Sequence, residues 1–115
     1  MINSKPEIQY ENFLKLDVRV GTIVSAVNVE GSTKLIKMEV DFGELGKRQI
    51  LSGIAKWYTP EDLINKQTSF VINLPYRKMM GLESQGMLFA VGLSDDTKPV
   101  LLLTSAPAEN GDGVR

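Results

Sequence analysis

The chain predicts an all-β fold: a five-stranded Greek-key barrel with a short helix between strands 3 and 4 and extra elements at both ends. Three observations predict it. Residues 36–42 alternate cleanly, with Ile36, Met38, Val40 and Phe42 on one face and Lys37, Glu39 and Asp41 on the other. Leu16, Val18 and Val20 alternate with polar residues, and the apolar phase then slips to Ile23 and Val27. A slip of one residue beside Gly21 is the mark of a β-bulge, which bends a strand enough to help close a barrel. The strongest helix start, Thr59-Pro60-Glu61-Asp62, falls after three strand segments and before two.

The elements follow in order. Tyr10 to Lys15 can form a single helical turn before the first strand. Gly43-Glu44-Leu45-Gly46 reads as a hairpin turn leading from the second strand into Arg48-Gln49-Ile50-Leu51-Ser52. Thr59 then caps a helix, with Pro60 in its first position and two acids facing the positive end of its dipole. That helix must be short, because Asn65-Lys66 and a β-rich run follow at once. Phe70, Ile72 and Leu74 alternate through a fourth strand. Gly86-Met87-Leu88-Phe89-Ala90-Val91 is almost wholly apolar, which predicts a fifth strand buried on both sides. Asp95-Asp96-Thr97-Lys98 is a turn, and Pro99 to Leu103 is an added strand. Strand-strand-strand-helix-strand-strand is the order of an OB-fold. We expect a single domain over residues 1–115, with its core at about 14–92, an extension at 93–115, and loose ends at about 1–7 and 108–115.

Composition narrows the function classes. The chain has no Cys and no His. Disulfides and thiol nucleophiles are therefore excluded, and the commonest general base and metal ligand is missing. Asp17, Glu39, Asp41 and Glu83 have no catalytic company, so neither an enzyme nor a cofactor or metal site is expected. No run of about 18 apolar residues occurs, so no membrane span is predicted. The start, Met-Ile-Asn-Ser-Lys-Pro-Glu, lacks the apolar core of a signal peptide, which predicts a cytoplasmic address. The net charge of −1 argues against a general nucleic-acid coat. Its distribution is uneven: residues 34–78 hold eight Lys/Arg against five Asp/Glu, and residues 79–115 hold two against five. Polyanion binding must then come from a local patch, with modest affinity and strong salt dependence.

One segment points to that patch. Arg77-Lys78-Met79-Met80-Gly81-Leu82-Glu83-Ser84-Gln85-Gly86-Met87 puts three Met, two Gly and two adjacent cations into eleven residues. Arg offers phosphate a planar fork and Lys a flexible point charge. Ser84 and Gln85 can bond to sugars, phosphates or base edges. The segment closely resembles the Arg-Lys-(Met/Ile)-X-Gly-Ile-Glu-Ser-X-Gly-Met signature of the tRNA-binding OB-folds. These occur at the C-terminus of methionyl-tRNA synthetases and as free-standing proteins. Four further blocks resemble the same family in order: Phe13 to Ile23, Val29 to Asp41, Ser52-Gly-Ile-Ala with Tyr58 to Lys66, and Asn73-Leu-Pro75.

The resemblance implies that Ser84, Gln85, Gly86 and Met87 contact tRNA, with Arg77 and Lys78 on phosphates. Lys34 matches a Lys common in the family's first loop, beside the cations of the signature in space. Gly31-Ser32-Thr33 stands where the family often carries an Asp before that Lys, which favours an anion's approach. Met80 replaces a frequent Arg or Lys, which implies weaker binding than in members with the extra cation. Tyr76 replaces the usual Pro and is a candidate for base stacking, whereas Trp57 and Tyr58 read as a plug under the short helix. The implied role is non-catalytic recognition of folded tRNA, aiding a methionyl-tRNA synthetase catalytic domain in cis or in trans.

The alternative is an export chaperone similar to CsaA, which shares the opening motif and binds unfolded peptides. Surplus apolar surface at Ile8, Tyr10 and Phe13, and at Val100, Leu101, Leu102 and Leu103, predicts a symmetric homodimer built outside the barrel.

Overall fold

The computed structural model describes residues 3–92 and 94–115. Residues 1, 2 and 93, which belong to the predicted loose N-terminus and the first position of the predicted extension, lie outside the described residues. The elements run α1 (Tyr10–Phe13), β1 (Val18–Asn28), β2 (Ile36–Asp41), a 3-10 turn (Gly43–Leu45), β3 (Lys47–Ser52), α2 (Pro60–Leu63), β4 (Gln67–Val71), β5 (Arg77–Met79), β6 (Leu82–Ser84), β7 (Met87–Leu88), β8 (Ala90–Val91) and β9 (Val100–Leu101). The main sheet has the order β3-β2-β1-β4-β7, antiparallel throughout. β3 also meets β7, so the sheet curls back on itself in the manner of an OB-fold.

The alternation in β2 fills the barrel. Ile36, Met38 and Val40 are fully buried, as are Ile23, Ile50, Leu63 and Phe70. Each contributes about 1.5–3 kcal/mol by leaving water. Phe42 meets Phe70 edge to face, with ring centroids 5.5 Å apart. Gly21 lies on the same inner face, where a Cβ would stand 2.5 Å from Val40 Cγ1 and 2.8 Å from the Phe42 ring. The phase change there reflects two faces of β1: Ile23 joins the barrel core, which Val18 and Val20 do not. The bulge itself lies farther along, where the β1–β2 register shifts between Ile23 and Ser25, while β1 pairs regularly with β4 across Gly21.

α2 begins as its sequence dictates. Thr59 N–H donates to the Asp62 carboxylate at 2.9 Å, and Leu63 seals the barrel end. The Thr59 backbone N–H, and then its hydroxyl, hold the Asp62 carboxyl below the usual carboxylate range. Tyr58 packs against the core with its hydroxyl donating to Pro99 O at 2.6 Å, which suits the expected plug.

Three further expectations are corrected. The fourth strand ends at Val71, leaving Leu74 exposed, because the Asn73 side chain turns back to bond Asp17 N and Lys15 O. The fifth strand is not buried on both sides. It breaks into β7 and β8, with Leu88 and Ala90 turned inward and Met87, Phe89 and Val91 exposed. The cause is that no second layer covers its outer face among the described residues. Finally, 108–114 is a docked strap. Gly111 N–H donates to Val20 O, Val20 N–H to Asp112 O and Val114 N–H to Val18 O, continuing the β1 edge beyond the reach of β2. Asn110 Oδ1 accepts from Thr22 and Gln67, and Arg19, paired with Asp17 at 2.6 Å, donates to Gly111 O. Gly111 has φ +97°, and a Cβ there would clash with Phe42 O, so glycine is required.

Candidate nucleic-acid interface

Between β4 and β7 lie fifteen residues, 72–86. Connections of that length are uncommon in compact domains. Most of this one is a hairpin, in which Arg77 pairs with Ser84, Lys78 with Glu83 and Met79 with Leu82. Its two-residue turn has Met80 at φ +53° and Gly81 at φ +77°, the left-handed pair that a hairpin with native twist requires. Met79 and Leu82 pack on a small cluster of Val29, Leu35 and Leu51, which seats the hairpin against the barrel wall.

Strand alternation separates the two cations. Arg77 shares the barrel side with Ser84, Met79 and Leu82, while Lys78 shares the outward side with Glu83. Arg77 lines a cleft of about 290 Å³ with Leu74, Met79, Ser84, Gly86 and Met87. A larger groove of about 900 Å³ continues from it past Lys34, Lys56, Trp57 and Met80, sharing Met79, Leu88 and the carboxylate-bearing Asp95 with the cleft and bordered also by Asp96. The hairpin tip reaches the β1–β2 loop, where Met80 Cε lies 3.6 Å from the position of a Cβ on Gly31. Lys34 thus borders the same depression as the hairpin across 43 residues of sequence. Lys34, Arg77 and Lys78 are exposed, and none of them forms an ion pair among the described residues. Their charge is available to a ligand.

The motif residues after the hairpin divide into two kinds. Ser84 is 5% exposed. Its hydroxyl accepts from Leu51 N–H at 3.0 Å and donates to Gly86 O at 3.0 Å. The Gln85 backbone N–H donates to Gln49 O, and Gln49 N–H donates to Gln85 Oε1. A Cβ on Gly86 would stand 3.0 Å from Ile50 Cδ1 and 3.2 Å from Val71 O, so glycine eases the close approach of this segment to β3 and β4. These three residues fix the return leg of the loop to β3. Met87 is different: it is 46% exposed and opens onto the cleft. Tyr76 is also exposed, with the Arg48 guanidinium 6.0 Å from its ring centroid.

Sequence reasoning missed Arg48, Lys56 and the groove position of Trp57. Lys56 Nζ lies 5.4 Å over the Trp57 ring, and both border the groove. A signal for Arg48 was present, since it occupies the core-facing phase of β3 with Ile50, an unusual place for a cation.

The comparisons agree with this geometry. A family model described as "Putative tRNA binding domain" matches residues 18–113. The chain belongs to the tRNA-binding domain family. It is 44% identical over 114 residues to a methionine–tRNA ligase of Methanothrix thermoacetophila, covering 99% of this chain but 16% of the ligase. Among solved structures, a MetRS-related protein from Pyrococcus horikoshii superposes with a TM-score of 0.89 at 35% identity, covering 96% of this chain and all of that one. The chaperone CsaA from Bacillus anthracis superposes with a TM-score of 0.84 at 34% identity, again over 96% of this chain and all of its own. The chain is thus a tRNA-binding domain that spans about a sixth of the ligase it matches.

Proposed function

We propose that this domain binds tRNA through its folded shape, without catalysis of its own, and serves a methionyl-tRNA synthetase in cis or in trans within the cytoplasm. The observation that carries this reading is the raised 77–84 hairpin with its unpaired cations, joined by one depression to Lys34. Cations on two loops fit a polyanion of fixed shape better than a flexible strand. Arg77 and Lys78 face opposite ways, so they suit phosphates on different parts of one RNA surface. Met87 and Tyr76 offer adaptable apolar contact at the rim, and Ser84, Gln85 and Gly86 hold the loop in shape. Few Asn, Gln or Arg side chains here are free to read base edges, which favours shape over sequence. Tethering such a domain to a synthetase raises apparent affinity by about 10²–10⁴ without altering the synthetase's chemistry.

Gel-shift titration over 50–200 mM salt tests the reading. Folded tRNA should bind, while unfolded tRNA and oligo-dT should compete poorly. Arg77→Ala with Lys78→Ala should weaken binding and lower the salt slope by about one unit per lost phosphate contact. A double variant that binds like the parent would remove the hairpin from the interface.

A second reading, capture of unfolded peptides, is favoured by the CsaA likeness together with the exposed apolar run Met87, Phe89, Val91 and Val100. Including an unfolded peptide in the same titration separates the two: peptide binding with no tRNA shift would select the chaperone.

A further inference from the structure

We infer that Arg48 is a positioning residue for the binding hairpin: it staples together the two legs of the 72–86 excursion, and its loss loosens the tRNA-binding surface without removing a tRNA contact. The inference rests on the proposed role of that hairpin.

The β4–β7 ladder pairs Phe70 with Leu88 and Val71 with Met87, and the strands part beyond that point. The Arg48 guanidinium stands at the fork. Its Nη1 donates to Ile72 O on the outgoing leg at 2.8 Å and to Gln85 O on the returning leg at 3.1 Å. Among the described residues it is the one side chain that bonds both legs. Ser84, Gln85 and Gln49 tie only the returning leg to β3, and Asn73 ties only the outgoing leg to the segment before β1.

Strand phase explains how the guanidinium gets there. Arg48 pairs with Val40 and alternates with Ile50, so its stem follows the core face of β3 out to the barrel end. It forms no ion pair among the described residues, and its bonds go to carbonyls that lost their partners when the ladder ended. Charge-assisted bonds of this kind are among the stronger ones. The same guanidinium lies 6.0 Å from the Tyr76 ring centroid, which restrains the residue that leads into β5.

The test compares Arg48→Met, which keeps the stem and loses the donors, with Arg48→Lys, which keeps a nitrogen carrying several donors. Amide hydrogen exchange at 77–86 and at β1–β2 is read alongside tRNA affinity across 50–200 mM salt. Arg48→Met should speed exchange in 77–86 more than in β1–β2 and weaken tRNA binding about ten-fold with an unchanged salt slope. Arg48→Lys should recover most of both effects. A drop of about one unit in the salt slope with unaltered exchange would make Arg48 a direct phosphate contact and overturn the inference. So would a uniform loss of stability in which the folded protein binds tRNA like the parent. If the parent itself binds no tRNA, the tRNA reading fails separately, and exchange at 77–86 still decides whether Arg48 orders the hairpin.

Discussion

The Ser84 hydroxyl accepts from Leu51 N–H and donates to Gly86 O, so removing it leaves a buried amide without a partner. Ser84→Ala should therefore cost about 1–3 kcal/mol, read as a lower midpoint in urea unfolding. Its effect on tRNA should follow from a loosened loop and leave the salt slope alone. Met87, three residues on, opens to solvent. Met87→Ala should change stability by less than about 0.5 kcal/mol while weakening tRNA binding. The reverse pattern, a stable Ser84→Ala and a destabilised Met87→Ala, would contradict the placement of both side chains. Within the family motif, the resemblance implied contact for every residue from Ser84 to Met87. The geometry gives the first three work inside the protein, because each lies against β3.

At the scale of elements, the cap of α2 makes a pH-dependent contribution. The folded-state pKa of Asp62 is depressed by Thr59, so its carboxylate stabilises the helix start above the ordinary value of 3.8. That contribution fades as pH falls through 3.8 and is gone below the depressed folded value. Asp62→Asn should remove this dependence, so parent and variant should differ in unfolding midpoint at pH 6 and converge in strong acid. A gap that widens on acidification would refute the cap. Elements set by neighbours in sequence were legible beforehand: the alternation of β2, the turn before β3 and the Thr59-Pro60 start all depend on local periodicity or capping. Elements set by distant partners were not. The 108–114 strap is polar and rich in Gly, with no period to read, and it docks where β1 leaves its edge unpaired between Val18 and Val20 and where Arg19, Thr22 and Gln67 reach it. The fifth strand misled for the opposite reason. Its apolar run signals burial, but among the described residues only one face has a cover. The cations and Met87 of the candidate site were legible from the motif, whereas Arg48 needed the two carbonyls that Ile72 and Gln85 bring to it.

Across the whole molecule, the exposed apolar surface remains to be accounted for, and it lies where the sequence expected association. α1 buries no residue, and a four-residue helix has no stability of its own. Tyr10 is 68% exposed and, among the described residues, stacks only on Phe13, with Ile8, Leu14 and Leu16 also open to solvent. Near the other end Val100, Leu102 and Leu103 are exposed beside Val91, while Leu101 turns inward onto the core. Surfaces of this kind mark sites of association. A homodimer that covers them would give α1 the packing it lacks. By two-fold symmetry it would present two 77–84 hairpins on one assembly, so that a single tRNA could span both. We therefore expect sedimentation equilibrium in the micromolar range to give twice the chain mass of 12.7 kDa, with one tRNA bound per two chains. Phe13→Asp with Leu103→Asp should yield a folded monomer, because both side chains are exposed in the single chain and their replacement costs its barrel little. That monomer should bind tRNA more weakly than the parent while keeping the hairpin's own salt dependence per chain. A parent that sediments at 12.7 kDa would leave the apolar face without a second copy to cover it and remove the dimer from the mechanism.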